Sequence, residues 1–243
     1  MIKFFRKIRR KLANQNKFLQ YGRYAIGEIV LVMVGILLAL QVNNWNEERK
    51  QSIQVNTALE GLVEDLTIQN EIIDEQILYE KKHIAAIDSI YSLMEFSRNI
   101  SKVDRMLDSL TSRQTFISVK ATFNNLEESG GLLFLKDLQL QNSIIRYFQK
   151  LDYTESVISN NNLFIVDSQY SQYYLRNPLQ LSLNKEWVVS KSDDLTDEQR
   201  YSLYKNISQR KLASISILQK SQALKKLTEE LIIQIENALK KLR

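Results

Sequence analysis

The chain has 243 residues, with 33 Lys and Arg against 28 Asp and Glu, one histidine and no cysteine. Without cysteine it has no disulfide, thiolate metal site or thiol nucleophile, and a single histidine argues against a histidine-rich metal centre or a Ser-His-Asp triad. Six glycines and one proline in a Leu-, Ile-, Gln-, Lys- and Glu-rich chain predict long helices around one compact core.

The first element is basic. Lys3, Arg6, Lys7, Arg9, Arg10, Lys11, Lys17 and Arg23 precede residue 25 with no acidic residue among them. Phe4, Phe5, Ile8 and Leu12 fall on one helical face, so an amphipathic helix over the first 20 residues is expected to lie on anionic lipid. Lys3, Arg6, Lys7, Arg9, Arg10 and Lys11 are its expected lipid-surface contacts. A basic cluster also suits nucleic acid, but the span that follows makes lipid the better reading.

Ala25 to Val42 reads AIGEIVLVMVGILLALQV. Eighteen helical residues extend about 27 Å, near the roughly 30 Å of a hydrocarbon core. Tyr21 and Tyr24 on one side and Trp45 on the other suit the headgroup layers. The run is longer than a signal-peptide core, and Leu-Ala-Leu-Gln-Val makes a poor cleavage site. An uncleaved signal anchor is therefore expected, with a cytoplasmic N-terminus and residues 43–243 outside. Glu28 lies about one turn inside the span, where a carboxylate either reaches the interface or meets a partner. Gly35 and Ala39 form a small-xxx-small pair that permits close helix approach.

Removing the eight N-terminal cations from 33 and Glu28 from 28 leaves 25 basic and 27 acidic residues outside. The external part is slightly acidic despite an overall pI near 9.2, and it has no reason to seek nucleic acid. From Leu59 to Met94 a seam of Leu59, Leu62, Leu66, Asn70, Ile73, Ile77, Glu80, Ile84, Ile87, Tyr91 and Met94 repeats every 3.5 residues. Val55 extends it on the N-terminal side. That is the coiled-coil period, and an amphipathic helix in an intramolecular bundle fits it as well. Asn70 is the polar seam position expected to set register. His83, beside Lys81 and Lys82, is expected to be exposed.

Short helices are predicted over 104–114 and 120–129, the second ending at Gly130-Gly131. Asp137 reads as the N-cap of a helix that starts at Leu138 and is carried as far as Tyr174. Arg176-Asn177-Pro178 would stop it. Alternation at Leu179, Leu181, Leu183, Trp187 and Val189 suggests a short extended piece. Thr196-Asp-Glu-Gln199 is a capping box that starts a helix toward Asn206. From Gln209 onward Leu224, Leu227, Leu231, Ile235, Ala238 and Leu242 carry a further apolar rhythm. This last helix is expected to pack antiparallel on the first and return Lys240, Lys241 and Arg243 toward the membrane.

The block MIKFFRKIRRKL at 1–12, with NKFLQYGRYAIGEIVLVMVGILLALQVNNWNEERK at 16–50, resembles a family of single-pass membrane proteins of unknown function from Bacteroidota, especially flavobacteria. ATFNNLEESGGLLFLKDLQLQNSIIRYFQKLD at 121–152 looks like that family's second recognisable segment. The resemblance implies an inner-membrane anchor with a helical external domain, and it brings no activity, cofactor or catalytic residue. It marks Glu28, Asn43, Asn44, Trp45 and Asn46 as places to look for a shared partner contact.

The expected fold is all-α. A cytoplasmic basic segment covers 1–23, a transmembrane helix 24–43, and a periplasmic antiparallel helical bundle with long coiled-coil-like helices 44–243. The expected function is that of a non-enzymatic scaffold or interaction protein in the bacterial inner membrane. No catalytic, metal or cofactor site is assigned; the lipid bilayer and a membrane-protein partner or second copy are the expected partners. Glu28, Gly35, Ala39, Asn43, Asn44 and Trp45 are the expected partner contacts. The alternative is a sensor-like ligand-binding module that signals through a separate membrane partner, with Tyr170, Tyr173, Tyr174 and Trp187 as its groove. Asp193-Asp194 with Asp197-Glu198 reads as a solvated loop and helix start rather than a cation site.

Overall fold

The structure is a computed structural model and describes residues 18–96, 112–163, 180–181, 187–188 and 197–242. These residues are almost entirely helical, in four helices: α1 Phe18–Phe96, α2 Ala121–Glu128, α3 Leu138–Asn161 and α4 Asp197–Leu242. A 3-10 turn, Gly131–Phe134, joins α2 to α3. Two short strands, β1 Gln180–Leu181 and β2 Trp187–Val188, pair antiparallel where the sequence alternates. The chain divides into two compact units, residues 1–54 and 55–243.

In the first unit, α1 carries a window of mean hydropathy 2.4 in which nothing is buried. From Ile26 to Val42 its large apolar side chains are exposed. This helix is long and apolar enough to cross a membrane. All of the lipid contacts expected of the amphipathic helix, and all of that helix but residues 18–20, lie outside the described residues.

In the second unit, the inward seam of α1 is Val55, Leu59, Leu62, Leu66, Gln69, Ile73, Gln76, Glu80, His83, Ile87 and Ile90, with the expected Ile77 also buried beside Gln76. Steps of four and three alternate along the whole series, which is the 3.5-residue period. Its register differs from the expectation. Asn70, Ile84 and Tyr91 are only half-buried, and the seam passes instead through Gln69, His83 and Ile90. Picking seam positions by apolarity steps off the heptad at the point where the buried residues turn polar.

α4 is one continuous helix of 46 residues, rather than a short helix followed by a second one. Its inward seam is Ile207, Arg210, Ser214, Ile217, Ser221, Leu224, Thr228, Leu231 and Ile235, again in alternating steps of three and four, with Ala213 buried beside Ser214. Leu227, expected in this stripe, is 38% exposed, and Thr228 holds the inward position. Lys225 pairs with Asp74 and Lys211 with Asp88, each at 2.5 Å, and Tyr91 Oη meets Ser208 Oγ at 2.8 Å. As the α1 numbers rise the α4 numbers fall in step, so α4 runs antiparallel to this part of α1.

Residues 112–120 form an extended strap along α1 and α3. Gln69 Oε1 accepts the Val119 N–H at 2.7 Å, and an Asp65 carboxylate oxygen accepts the Thr122 N–H at 2.9 Å. On the other side Lys120 pairs with Asp152 at 2.7 Å, and Ser118 donates to Glu155 at 2.6 Å. The helix expected over 104–114 is not formed at 112–114, and 104–111 lie outside the described residues. Gly61 lets the first turn of α2 come close, because a Cβ there would lie 3.2 Å from Thr122 Oγ1.

The corner after α2 follows the sequence signals. Gly130 takes the left-handed conformation with φ 68°, which glycine adopts without steric cost. Asp137 caps α3 by accepting from the Gln139 N–H at 2.9 Å and the Leu140 N–H at 3.1 Å. α3 runs to Asn161 and a π-helical turn follows at 162–163; its expected continuation to Tyr174 lies outside the described residues. Its inner face, from Leu140 through Phe148 and Leu151 to Ile158, joins the α1 and α4 seams in one core. Phe123 stacks on Phe148 with ring centroids 4.0 Å apart. Each fully buried Leu, Ile or Phe contributes about 1.5–3 kcal/mol relative to exposure.

Candidate functional site

The most unusual chemistry lies inside the α1–α4 seam. Gln76, Glu80 and His83 from α1 and Arg210, Ser214 and Ser221 from α4 are all buried. Glu80 is 1% exposed and His83 5%. The expectation of an exposed His83 is therefore wrong. Lys81 and Lys82 do point outward, but His83 occupies the next inward heptad position.

Gln76 Nε2 donates to Glu80 Oε1 at 2.9 Å. Arg210 Nη2 donates to the Ser112 carbonyl at 3.1 Å, and Tyr79 Oη lies 2.8 Å from Ser112 Oγ. Tyr79 also stacks on the His83 ring, with centroids 5.7 Å apart. Among the described residues, Gln76 Oε1, His83 Nε2 and Ser221 Oγ are buried without a hydrogen-bond partner. Burial of such atoms is costly, so this stretch is less stably packed than the Leu and Ile layers around it.

Burial raises the Glu80 carboxyl above its ordinary range, against the pull of the Ser214 hydroxyl, the Arg210 charge and the Gln76 amide. Burial and then the Arg210 charge lower the His83 imidazole to about 4. Desolvation also lowers Arg210, offset by the Glu80 charge and Tyr79. The cluster therefore holds one neutral imidazole beside a buried cation and a carboxyl, between two long helices. Of this cluster the sequence pattern placed only Glu80 in the seam; Gln76, His83, Arg210, Ser214 and Ser221 were missed because their polarity argued for the surface. The signal was present in the strict heptad that runs on from Val55.

The expected partner contacts lie on α1 in the first unit. Ala39, Val42, Asn43, Trp45, Asn46 and Arg49 line one open hollow of about 410 Å³. Gly35 has open space around it, and Glu28 is half-buried. Ala39, Asn43 and Trp45 thus come together on one helix face, while Gly35, Asn44 and Glu28 do not line that hollow. Tyr170, Tyr173 and Tyr174 lie outside the described residues, and of the fourth expected groove residue, Trp187, only the strand is described. Asp193 and Asp194 also lie outside. Among the described residues no group of three or more metal-ligating side chains occurs.

No curated protein and no solved structure matches the chain. One family model matches residues 28–198, a range that takes in the apolar run from Glu28, the α1 seam, the strap and α3. The matched range covers well over half of the chain, and the protein belongs to that family of unknown function, DUF6090.

Proposed function

We propose that the chain is a membrane-anchored interaction protein with no catalytic role. Residues 25–42 cross the bacterial inner membrane, with the basic segment in the cytoplasm and the helical unit in the periplasm as an antiparallel bundle. One observation carries this reading. A fully exposed apolar surface from Ile26 to Val42 sits on the same unbroken helix that supplies the buried seam. Exposed apolar area of this length needs an apolar environment, and a bilayer supplies it. The asymmetry of charge across the run supports the orientation. The fit of the flanking contacts 74–225 and 88–211 supports the bundle.

In this reading Glu28, Gly35, Ala39, Asn43, Asn44 and Trp45 meet a membrane-protein partner or a second copy. Crosslinking in native membranes, mild-detergent affinity purification and mass spectrometry test it. The expected result is one partner in fixed ratio, weakened by Glu28→Gln or Trp45→Ala. Recovery of an uncrosslinked monomer alone overturns it.

A further inference from the structure

Beyond Gln69, α1 offers α4 two overlapping faces. Ile73, Glu80 and Ile87 are buried and belong to both. The first face adds Gln76, His83 and Ile90, and it is the one packed inward. The second adds Ile77, Ile84 and Tyr91, one residue further along in each case. At about 100° per residue, the midlines of the two faces lie about 50° apart. The second face is already half engaged. Ile77 is buried, Ile84 is half-buried, and Tyr91 stacks on Tyr204 of α4 with ring centroids 5.7 Å apart.

The packed face is the more polar of the two, and its weak point is His83. Among the described residues, buried His83 Nε2 and Gln76 Oε1 have no hydrogen-bond partner. The groups around His83 are Tyr79 and Glu80 on α1, Arg210 on α4, and Ser112 of the strap, which both Tyr79 and Arg210 meet. Lys81, Lys82 and Arg113 are exposed, and Asp88 is engaged with Lys211. A proton taken up by His83 in place would set a second cation beside Arg210 inside the seam, which is costly. Glu80 offers little relief. Gln76, Ser214 and the Arg210 charge already engage it, and burial favours its neutral form as pH falls.

We propose that residues 73–90 of α1 form a two-position, acid-driven switch: protonation of His83 turns this stretch by about 50°, withdrawing Gln76 and His83 from α4 and seating Ile77 and Ile84 in their place. His83 then lies on the edge beside Tyr79 and exposed Ser112, where water solvates its charge. Ile73, Glu80 and Ile87 stay inward. The Asp74–Lys225 and Asp88–Lys211 pairs lie on the opposite flank and remain within reach. The Gln69 bond to the Val119 N–H pins the helix just before the turning stretch. At neutral pH the Gln76–Glu80 bond and the burial of Ile90 hold the packed position. The switch lies within the second unit and works whether or not residues 25–42 cross a bilayer.

The absence of cysteine makes the test direct. Full-length Gln76→Cys, Ile84→Cys and Leu62→Cys proteins in detergent are labelled with a pyridyl disulfide from pH 7 down to pH 4.5, and free cysteine corrects for the pH dependence of the thiol. Below pH 6.5 the rate at 76 should rise by up to about tenfold per pH unit, while the rate at 84 falls and that at 62 stays constant. Adding His83→Gln should abolish both changes with helicity unchanged. Equal acceleration at all three positions shows the whole unit unfolding and overturns the proposal. Acceleration at both 76 and 84 alone shows the seam parting without turning, and overturns it too. So do flat rates at 76 and 84, and changes that survive His83→Gln. The unaltered chain gives a second reading, since His83 is its one histidine. In histidine-labelled protein the ring signal should titrate clearly above 4, because protonation moves the ring to water. Titration at about 4, the value for a ring protonated in place, overturns the proposal.

Discussion

His83 sits where burial and a neighbouring cation act in the same direction. Its folded value near 4 lies below the ordinary 6.5, so folding favours the neutral ring. The stability this contributes is complete above pH 6.5 and is lost as pH falls toward 4. At about 1.4 kcal/mol per pH unit the full effect is roughly 3 kcal/mol. Glu80 works the other way. Its raised value means its contribution is complete below its ordinary range and is lost as pH rises through the folded value. The two groups therefore tilt the stability of the seam in opposite senses on acidification. We expect His83→Gln to remove the destabilising part. Urea unfolding of the full chain in detergent, followed by helicity at pH 7 and pH 5, checks this. Equal pH slopes for the variant and the parent would refute the burial argument. None of this was readable locally, because Lys81 and Lys82 make the immediate neighbourhood of His83 look solvated.

The helices themselves show how far pattern alone reaches. Ile73 lies fully inside the α1 seam, whereas Leu78, five residues on, is 53% exposed. Ile73→Ala should cost about 2–5 kcal/mol, and Leu78→Ala should stay within about 0.5 kcal/mol, both by denaturant unfolding. Similar losses at the two positions would place the seam elsewhere. The period of α1, the Asp137 cap, the glycine turn and the start of α4 were all legible, since each depends on neighbours within one or two turns. Beyond Leu66 the seam was legible at Ile73, Ile77, Glu80 and Ile87 but not at Gln69, His83 and Ile90. Gln69 takes an inward position because its side chain accepts the Val119 N–H, from a residue 50 positions away. The strap is non-helical for the same reason. Gln69 accepts the Val119 N–H that a local helix would otherwise have bonded, and the side chains of Ser118 and Lys120 are held by Glu155 and Asp152 of α3.

Across the whole molecule, α1 and α4 meet through pairs up to 151 residues apart. Asp74 with Lys225 and Asp88 with Lys211 repeat at one spacing on both helices, so they select one register among those that a heptad pattern permits. Reversing one charge, Asp74→Lys, should lower the melting temperature. Adding Lys225→Asp should restore most of the loss. A double variant no more stable than the single one would argue against this antiparallel register. The match to the family ends at residue 198, so most of α4, which completes the seam, lies beyond it.

Composition and near-neighbour pattern were enough to set the helical character, the apolar run at residues 25–42 and the 3.5-residue repeat of the long helices. These properties follow from composition and from contacts between near neighbours, where hydrophobicity and backbone preference act locally. Which polar residues enter the seam and where the strap lies were settled by packing between elements. Those outcomes depend on pairing between distant segments. There a side chain's burial is set by the partner helix, whatever its own polarity suggests.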